Sequence, residues 1–266
     1  SNGVSCTDNS NVVELTQPAA VSVANPVVTH VVGCNAQTTG AIAITASGGT
    51  PDGNGDYTYA WTVGNGGNLQ GNASTTEDLT NIGAGDYTVV ATDENSCTGT
   101  VTVTITQPTA VSRVAQVTSD YNGSEISCNG LSDGALSVTA TGGAASYTYQ
   151  WYSCDDAQGN IPVPIGGETN ATLTNRAAGF YYCSVTDLSN GVSCTDNSNV
   201  VELTQPTAVD ASNASATSSY FVNKHISCFG ANDGAATVSA TGGTGAYTYL
   251  WSDNQTTQAA TTLVAG

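Results

Sequence analysis

The sequence predicts an all-β chain built as a linear array of small β-sandwiches. Three observations predict it: one motif recurs at a regular beat, short runs alternate apolar and polar residues, and glycine or proline closes each run. The motif is a diglycine followed by two tyrosines and a tryptophan, Gly142-Gly143 leading to Tyr147-Thr148-Tyr149-Gln150-Trp151. It returns as Gly242-Gly243 with Tyr247-Thr248-Tyr249-Leu250-Trp251. With an insertion it is also Gly48-Gly49 with Tyr57-Thr58-Tyr59-Ala60-Trp61. All three tryptophans of the chain sit at this place, 90 and then 100 residues apart. A domain of that size buries a core, though a small one.

Residues 1–18 are identical to residues 189–206, so the chain opens in the closing strand of a preceding repeat. A Thr-Gln-Pro punctuates each boundary at Pro18, Pro108 and Pro206. Proline cannot continue a central strand, so the repeats are expected at 19–108, 109–206 and, incomplete, 207–266. Linkers this short predict a semi-rigid rod. Within a copy, Ala41–Thr45, Ala135–Thr139 and Ala235–Ser239 are the first β runs. The Tyr-Thr-Tyr-x-Trp strand follows, with Tyr147, Tyr149 and Trp151 on one face and Thr148 and Gln150 on the other. Thr-rich runs come next, Ala171–Thr174 and Thr261–Leu263. Gly85–Val90 and Gly179–Val185 form the penultimate strand, and Thr100–Ile105 and Val200–Leu203 the last. No segment carries a helical stripe, and six or seven short strands per repeat make a sandwich.

The sandwich is expected to be immunoglobulin-like. Ala177-Ala178-Gly179-Phe180-Tyr181-Tyr182-Cys183, with Trp151 upstream, resembles the arrangement in which a corner Tyr stands two residues before a Cys and a core Trp lies on the third strand. Gly83-Ala84-Gly85-Asp86-Tyr87 is the first copy's version, with Val89 at the cysteine's place. The strand 135–139 lacks the partner cysteine, so the likeness is to the architecture and not to an antibody domain. Trp61, Trp151, Trp251, Tyr87 and Tyr181 are therefore read as a core signature; a sugar-binding platform is the competing reading of the aromatic strand.

Lys and Arg number 3 against 21 Asp and Glu, a net charge of −18. No basic patch can be assembled from three cations, which excludes nucleic acid and an anionic membrane as partners. No apolar stretch is long enough to insert in a bilayer. Eight cysteines include no C-x-x-C pair, and His30 and His225 stand apart from the cysteine pattern. Disulfides in an oxidising compartment are expected, with thiolate metal ligands the competing reading. Each copy has a cysteine before its first β run (Cys34, Cys128, Cys228) and one before its last strand (Cys97, Cys194, and Cys6 in the opening segment). The expected bonds are Cys34–Cys97 and Cys128–Cys194, across 63 and 66 residues, with Cys154–Cys183 peculiar to the middle copy. Loops of that length contribute roughly 4 kcal/mol each in the chain-entropy model. Cys6 and Cys228 are left without partners inside the chain.

Asp133-Gly134 and Asp233-Gly234 recur before the first β run, and Thr92-Asp93 and Thr186-Asp187 after the penultimate strand. Asp93, Asp133, Asp187 and Asp233 are candidate Ca²⁺ ligands, Ca²⁺ being the one cofactor the sequence raises; Asp-Gly as a plain turn is the alternative. No firm metal site and no catalytic constellation is discernible, so no enzyme is expected.

Together, Cys128-Asn129-Gly130-Leu131-Ser132-Asp133-Gly134, Gly142-Gly143, Tyr147–Trp151, Ala178–Tyr181, Val185-Thr186-Asp187, Cys194-Thr195 and Thr204-Gln205-Pro206 resemble the SprB repeat. Cys228-Phe229-Gly230-Ala231-Asn232-Asp233-Gly234 through Trp251 is closer still. The first copy departs: Cys34–Gly40 lacks the Asp-Gly, and Pro51–Asp56 is inserted. The resemblance implies a secreted, extracellular repeat segment of a large surface protein of Bacteroidota, exported by the type IX system. It implies a filament or stalk serving adhesion or gliding motility, with no catalytic residue. Its partners would be neighbouring repeats or identical subunits, and surface glycans or the substratum. The third copy stops at Gly266 before its last two strands, as expected of a window on a longer polypeptide. The alternatives are a carbohydrate-binding array, or subunits joined head to tail by strand complementation, each lending its first strand to a neighbour.

Overall fold

The computed structural model describes residues 11, 13–189 and 191–266; Cys6 lies outside them. Two compact units make up the chain, Ser1–Ala110 with Ser189–Val192, and Val111–Leu188 with Ser193–Gly266. The described residues form strands and turns and no helix.

The first unit holds β1 (Ser22–Val23), β2 (Val27–Thr29), β3 (Gly40–Ala43), β4 (Ala46–Ser47), β5 (Thr58–Gly64), β6 (Leu79–Ile82), β7 (Gly85–Thr92) and β8 (Thr98–Ile105). They make two three-stranded sheets, β2-β3-β6 and β5-β7-β8, with β1 pairing β4 alongside. Every pairing is antiparallel, and β7 matches β8 without a slip from Gly85↔Ile105 to Thr92↔Thr98. Register is fixed because β7 alternates strictly: Gly85, Tyr87, Val89 and Ala91 are buried and the residues between them are not. A one-residue slip would turn that whole set to solvent. The two sheets meet over Ile42, Ile44, Leu79 and Ile82 from one side and Trp61, Tyr87, Val89, Val103 and Ile105 from the other. Each such Ile or Leu contributes about 1.5–3 kcal/mol of burial.

The second unit begins with the same plan. β9 (Ser112–Val117), β10 (Gly134–Thr141) and β13 (Thr172–Arg176) form one sheet. β11 (Tyr147–Cys154), β12 (Val163–Pro164), β14 (Gly179–Ser189), β15 (Val192–Asn197) and β16 (Val201–Leu203) form the other. Leu136, Val138 and Leu173 face Trp151, Tyr181, Cys183 and Val185 across the core. Thus both complete repeats are Ig-like sandwiches. The closing strand differs from the single run expected at Val200–Leu203. It starts at Val192 and is interrupted between β15 and β16, where Ser198 turns inward: Cys183 N–H donates to Ser198 Oγ at 2.9 Å, and Ser198 N–H to the Cys183 carbonyl at 2.8 Å. Asn199 then bridges to the other sheet, accepting from Ala115 N–H at 2.9 Å and donating to its carbonyl at 3.0 Å.

The third copy holds β17 (Ser215–Ala216), β18 (Gly234–Thr237) and β19 (Ala259–Leu263) as one sheet. The strand expected at Tyr247–Trp251 is not formed. In the other copies this strand takes its hydrogen bonds from β7 or β14, and no counterpart of those strands is present among the third copy's described residues. Trp251 is accordingly only half-buried, whereas Trp151 is fully buried.

Candidate functional site

Two polar clusters recur at opposite ends of each sandwich. At the end where a repeat begins, the diglycine turn meets the Asp that follows the penultimate strand. Asp93 is buried, and its Oδ2 accepts from Thr50 N–H at 2.8 Å while Oδ1 accepts from Cys97 N–H at 2.7 Å. Led by the Thr50 bond, these N–H groups hold the Asp93 carboxyl below the usual carboxylate range. In the second repeat the buried Asp187 accepts from Ala144 N–H at 2.9 Å. The second glycine makes this approach possible: a Cβ on Gly49 would stand 2.4 Å from Asp93 Oδ2, and one on Gly143 2.1 Å from Asp187 Oδ2. The first tyrosine of the motif closes the same turn. Tyr57 donates to the Gly48 carbonyl at 2.7 Å, Tyr147 to that of Gly142 and Tyr247 to that of Gly242.

At the end where a repeat finishes, the loop carrying the first cysteine is tied to the Thr-Gln-Pro boundary. In the first repeat, Ala36 N–H donates to Gln107 Oε1 at 2.8 Å and Asn35 Nδ2 to the Pro108 carbonyl at 2.9 Å. In the second, Gly130 N–H donates to Gln205 Oε1 at 2.8 Å and Asn129 Nδ2 to the Pro206 carbonyl at 3.1 Å. Asp133 and Asp233 staple the same loop from within. Their Oδ1 atoms accept from Ser127 N–H and Ser227 N–H, each at 3.1 Å. The serine hydroxyls, then their N–H groups, hold both carboxyls below the usual range. The glycine after Asp133 lets the core close over it, since a Cβ on Gly134 would lie 2.7 Å from Ile126 Cδ1 and from Leu203 Cδ1, which would have to shift.

The four candidate calcium ligands are therefore split between two ends of a sandwich, each engaged by backbone N–H groups. Among the described residues no group of three or more His, Cys, Asp or Glu is assembled for a metal. The core signature is inside: Trp61 and Trp151 are buried and donate through Nε1 to the carbonyls of Thr76 at 2.8 Å and Asn170 at 2.9 Å. Trp251 donates to the Thr257 carbonyl at 2.8 Å. Tyr87 and Tyr181 make the tyrosine corner, donating to the carbonyls of Gly83 and Ala177, each at 3.0 Å. Tyr147 and Tyr149 pack against the same core as Trp151. A separate aromatic pair, Tyr152 and Tyr182, stacks across β11 and β14 with centroids 5.0 Å apart, but Tyr182 is buried.

The expected disulfides are corrected. Cys97, Cys128, Cys154, Cys183 and Cys228 are thiols, while Cys34 and Cys194 are disulfide-bonded. Neither Cys34–Cys97 nor Cys128–Cys194 forms. Cys97 stands at the start of β8, and the Cys34 loop is tied to Gln107 and Pro108 beyond its other end. Cys154–Cys183 is absent for a reason of register. Trp151 is opposite Cys183, so Cys154 lies three residues farther along β11, about 10 Å away, with its side chain on the other face. Cys183 points into the core, and burial pushes its thiol up to about 11. It behaves there as a small apolar residue.

The SprB repeat model matches residues 121–155 and 224–256. Both stretches are similar to that repeat. Each matched stretch spans the cysteine loop, the Asp-Gly, the diglycine and the aromatic strand, which supply part of the two end clusters. No curated protein matches the chain. Among solved structures, the three N-terminal domains of the bacteriophage RB49 Highly Immunogenic Outer Capsid protein (Hoc) are 14% identical, covering 84% of this chain and 69% of that one at a TM-score of 0.36. Domains A168–A170 of titin are 12% identical, covering 83% and 74%, at 0.24. The assignment of Ig-like sandwiches rests on the strand order and cores above. Sequence reading missed the partners of the cysteine loop, Asn35, Asn129, Gln107 and Gln205. The signal was there: a Cys-Asn and a Gln-Pro recur in both complete copies.

Proposed function

We propose that the chain is a structural repeat segment of an extracellular bacterial surface protein, a load-bearing spacer in a filament or stalk that serves adhesion. One observation carries the reading. The recurrent polar residues are spent on bracing the two ends of each sandwich, and at Gln107–Pro108 and Gln205–Pro206 the brace reaches the boundary segment itself. The recurrent Asp, Asn and Gln side chains are turned to partners within their own repeat. The SprB match supports a place on the cell surface, and gliding motility is the setting that match suggests. No reaction is assigned to the chain.

Single-molecule stretching in reducing buffer tests the reading. The repeats at 19–108 and 109–206 should unfold as two discrete steps of about 30 nm each, from ~3.5 Å of contour per residue. Extension without discrete steps would overturn the load-bearing role. Specific micromolar binding to a glycan array would instead favour a carbohydrate-binding array.

A further inference from the structure

Boundaries between domains usually fall in exposed chain that few contacts hold. Within the second unit, the boundary between the second and third copies is bonded at consecutive residues instead. The second copy takes the first of them: Gly130 N–H donates to Gln205 Oε1 at 2.8 Å and Asn129 Nδ2 to the Pro206 carbonyl at 3.1 Å. The third copy takes the next, where Gly243 N–H donates to the Thr207 carbonyl at 2.9 Å. Asp210 and Thr241 then donate N–H to each other's carbonyls, both at 2.9 Å. Pro206 is buried, and the bonds of the two copies fall on adjacent carbonyls.

The same two copies also meet directly. Asn122 Nδ2 donates to the Thr244 carbonyl, and Thr244 Oγ1 donates to the Ser127 carbonyl at 3.2 Å. A Cβ on Gly245 would lie 3.1 Å from Asn122 Nδ2, so a glycine there leaves room for that amide. Both partners are fixed within their own copies. Ser127 donates its N–H and its hydroxyl to Asp133, and beside Asn122 the Gly123 N–H donates to Asp120 Oδ1 at 2.9 Å. Thr244 directly follows Gly243, whose N–H holds the Thr207 carbonyl. A run of hydrogen bonds thus links Asp133 of the second copy to the diglycine turn of the third.

The third copy has little else to hold it. Its described residues form one three-stranded sheet, and among them Val238 and Ala260 are the buried apolar side chains. A sheet of that size with so thin an apolar face is marginal in water by itself. We propose that loop 122–127 of the second copy is a docking surface for the diglycine turn of the copy that follows, and that the third copy is held folded through it. The partner it fits is the Gly242-Gly243-Thr244-Gly245 turn, which offers a carbonyl to Asn122 and a hydroxyl to the Ser127 carbonyl. In a repeat array such a contact is the nearest-neighbour term that adds to the intrinsic stability of a copy. Its use under load rests on the spacer reading above: with adjacent carbonyls bonded, tension passes between these copies without free extension of a linker.

Hydrogen exchange of the full chain, read in peptides from β18 and β19, is the test. Asn122→Asp keeps a residue that tolerates φ +60° and removes the donated N–H. Thr244→Val removes the hydroxyl at nearly constant shape, and Thr244→Ser keeps it. The expected result is exchange about fivefold faster for each bond removed, in Asn122→Asp and in Thr244→Val, with Thr244→Ser near the parent rate. Peptides from β10 and β14 should exchange as in the parent, since the second copy has its own core. Parent rates in β18 and β19 for Asn122→Asp overturn the proposal, because that variant reaches the third copy through this contact. Equal acceleration in Thr244→Ser and Thr244→Val also overturns it, since the hydroxyl then has no part. Two discrete steps in the stretching experiment, alongside parent exchange rates in all three variants, would sink the joint while leaving the load-bearing role intact.

Discussion

Gly143→Ala tests whether the diglycine exists to admit a carboxylate. Gly143 sits at φ +56°, and a Cβ there would meet Asp187 Oδ2 at 2.1 Å and Val111 Cγ2 at 3.0 Å. The left-handed backbone alone costs about 1–2 kcal/mol with a side chain. Pushing Asp187 off its Ala144 N–H in a buried site adds about 1–3 kcal/mol. The sum is about 2–5 kcal/mol, a large part of the stability of a domain this size. Two glycines of the same repeat separate the contributions. Gly167 has φ +80° and nothing within 4 Å of its Cβ position, so Gly167→Ala should cost about 1 kcal/mol. Gly166 has open space and no positive φ, so Gly166→Ala should be near neutral. Urea unfolding followed by hydrogen exchange in peptides from β10 and β14 reports on this repeat alone. If Gly143→Ala costs no more than Gly167→Ala, the carboxylate has no part in the motif.

Three further outcomes are expected. Tyr181→Phe removes the bond to the Ala177 carbonyl at 3.0 Å and should cost about 1–2 kcal/mol in the same assay; an unchanged midpoint would deny the corner its role. Asp93, Asp133 and Asp233 have depressed carboxyl pKa values, so their contribution is present above the unfolded value of about 3.9 and is lost as pH falls through the folded values. The thermal midpoint should hold from pH 7 to about 5 and drop below about pH 4, and Asp93→Asn should flatten the drop; equal acid sensitivity in the variant would refute the assignment. Cys183, with its thiol pushed up to about 11, should resist alkylation at pH 8 in the folded chain while Cys97, Cys128 and Cys228 react. Labelling of Cys183 at the rate of the exposed thiols would show that its core opens.

The tryptophans and corner tyrosines were legible because their evidence is local. An aromatic at a strand's inward parity must go to the core, and the same spacing in three copies names the strand. The cysteines were not legible because pairing depends on which end of a sandwich each one occupies. That follows from the length and direction of β8, which sequence separation does not reveal: Cys34 and Cys97 are close in count and far apart in space. Cys154 was more readable than the pairing with Cys183 assumed. It lies an odd number of residues after Trp151, hence on the outward face, while Cys183 shares the inward parity of Tyr181. The Tyr247–Trp251 run shows the opposite limit. Its sequence is as strand-like as its two counterparts, but a strand needs a partner for its N–H and C=O groups. The Asp residues recur at turns, and what the sequence did not reveal is that backbone N–H groups engage each of them.

That use of the carboxylates bears on the −18 charge. Two of the three cations are engaged inside the second repeat, Arg113 with Asp196 and Arg176 with Glu168. Lys224 is the one other cation of the chain, against 21 Asp and Glu. Ion pairs therefore add little to the fold, since an exposed pair contributes about 0–1 kcal/mol and is screened within ~8 Å at physiological salt. The carboxylates that brace each repeat do not need those cations, since Asp93, Asp133, Asp187 and Asp233 are engaged by backbone N–H groups of their own repeat.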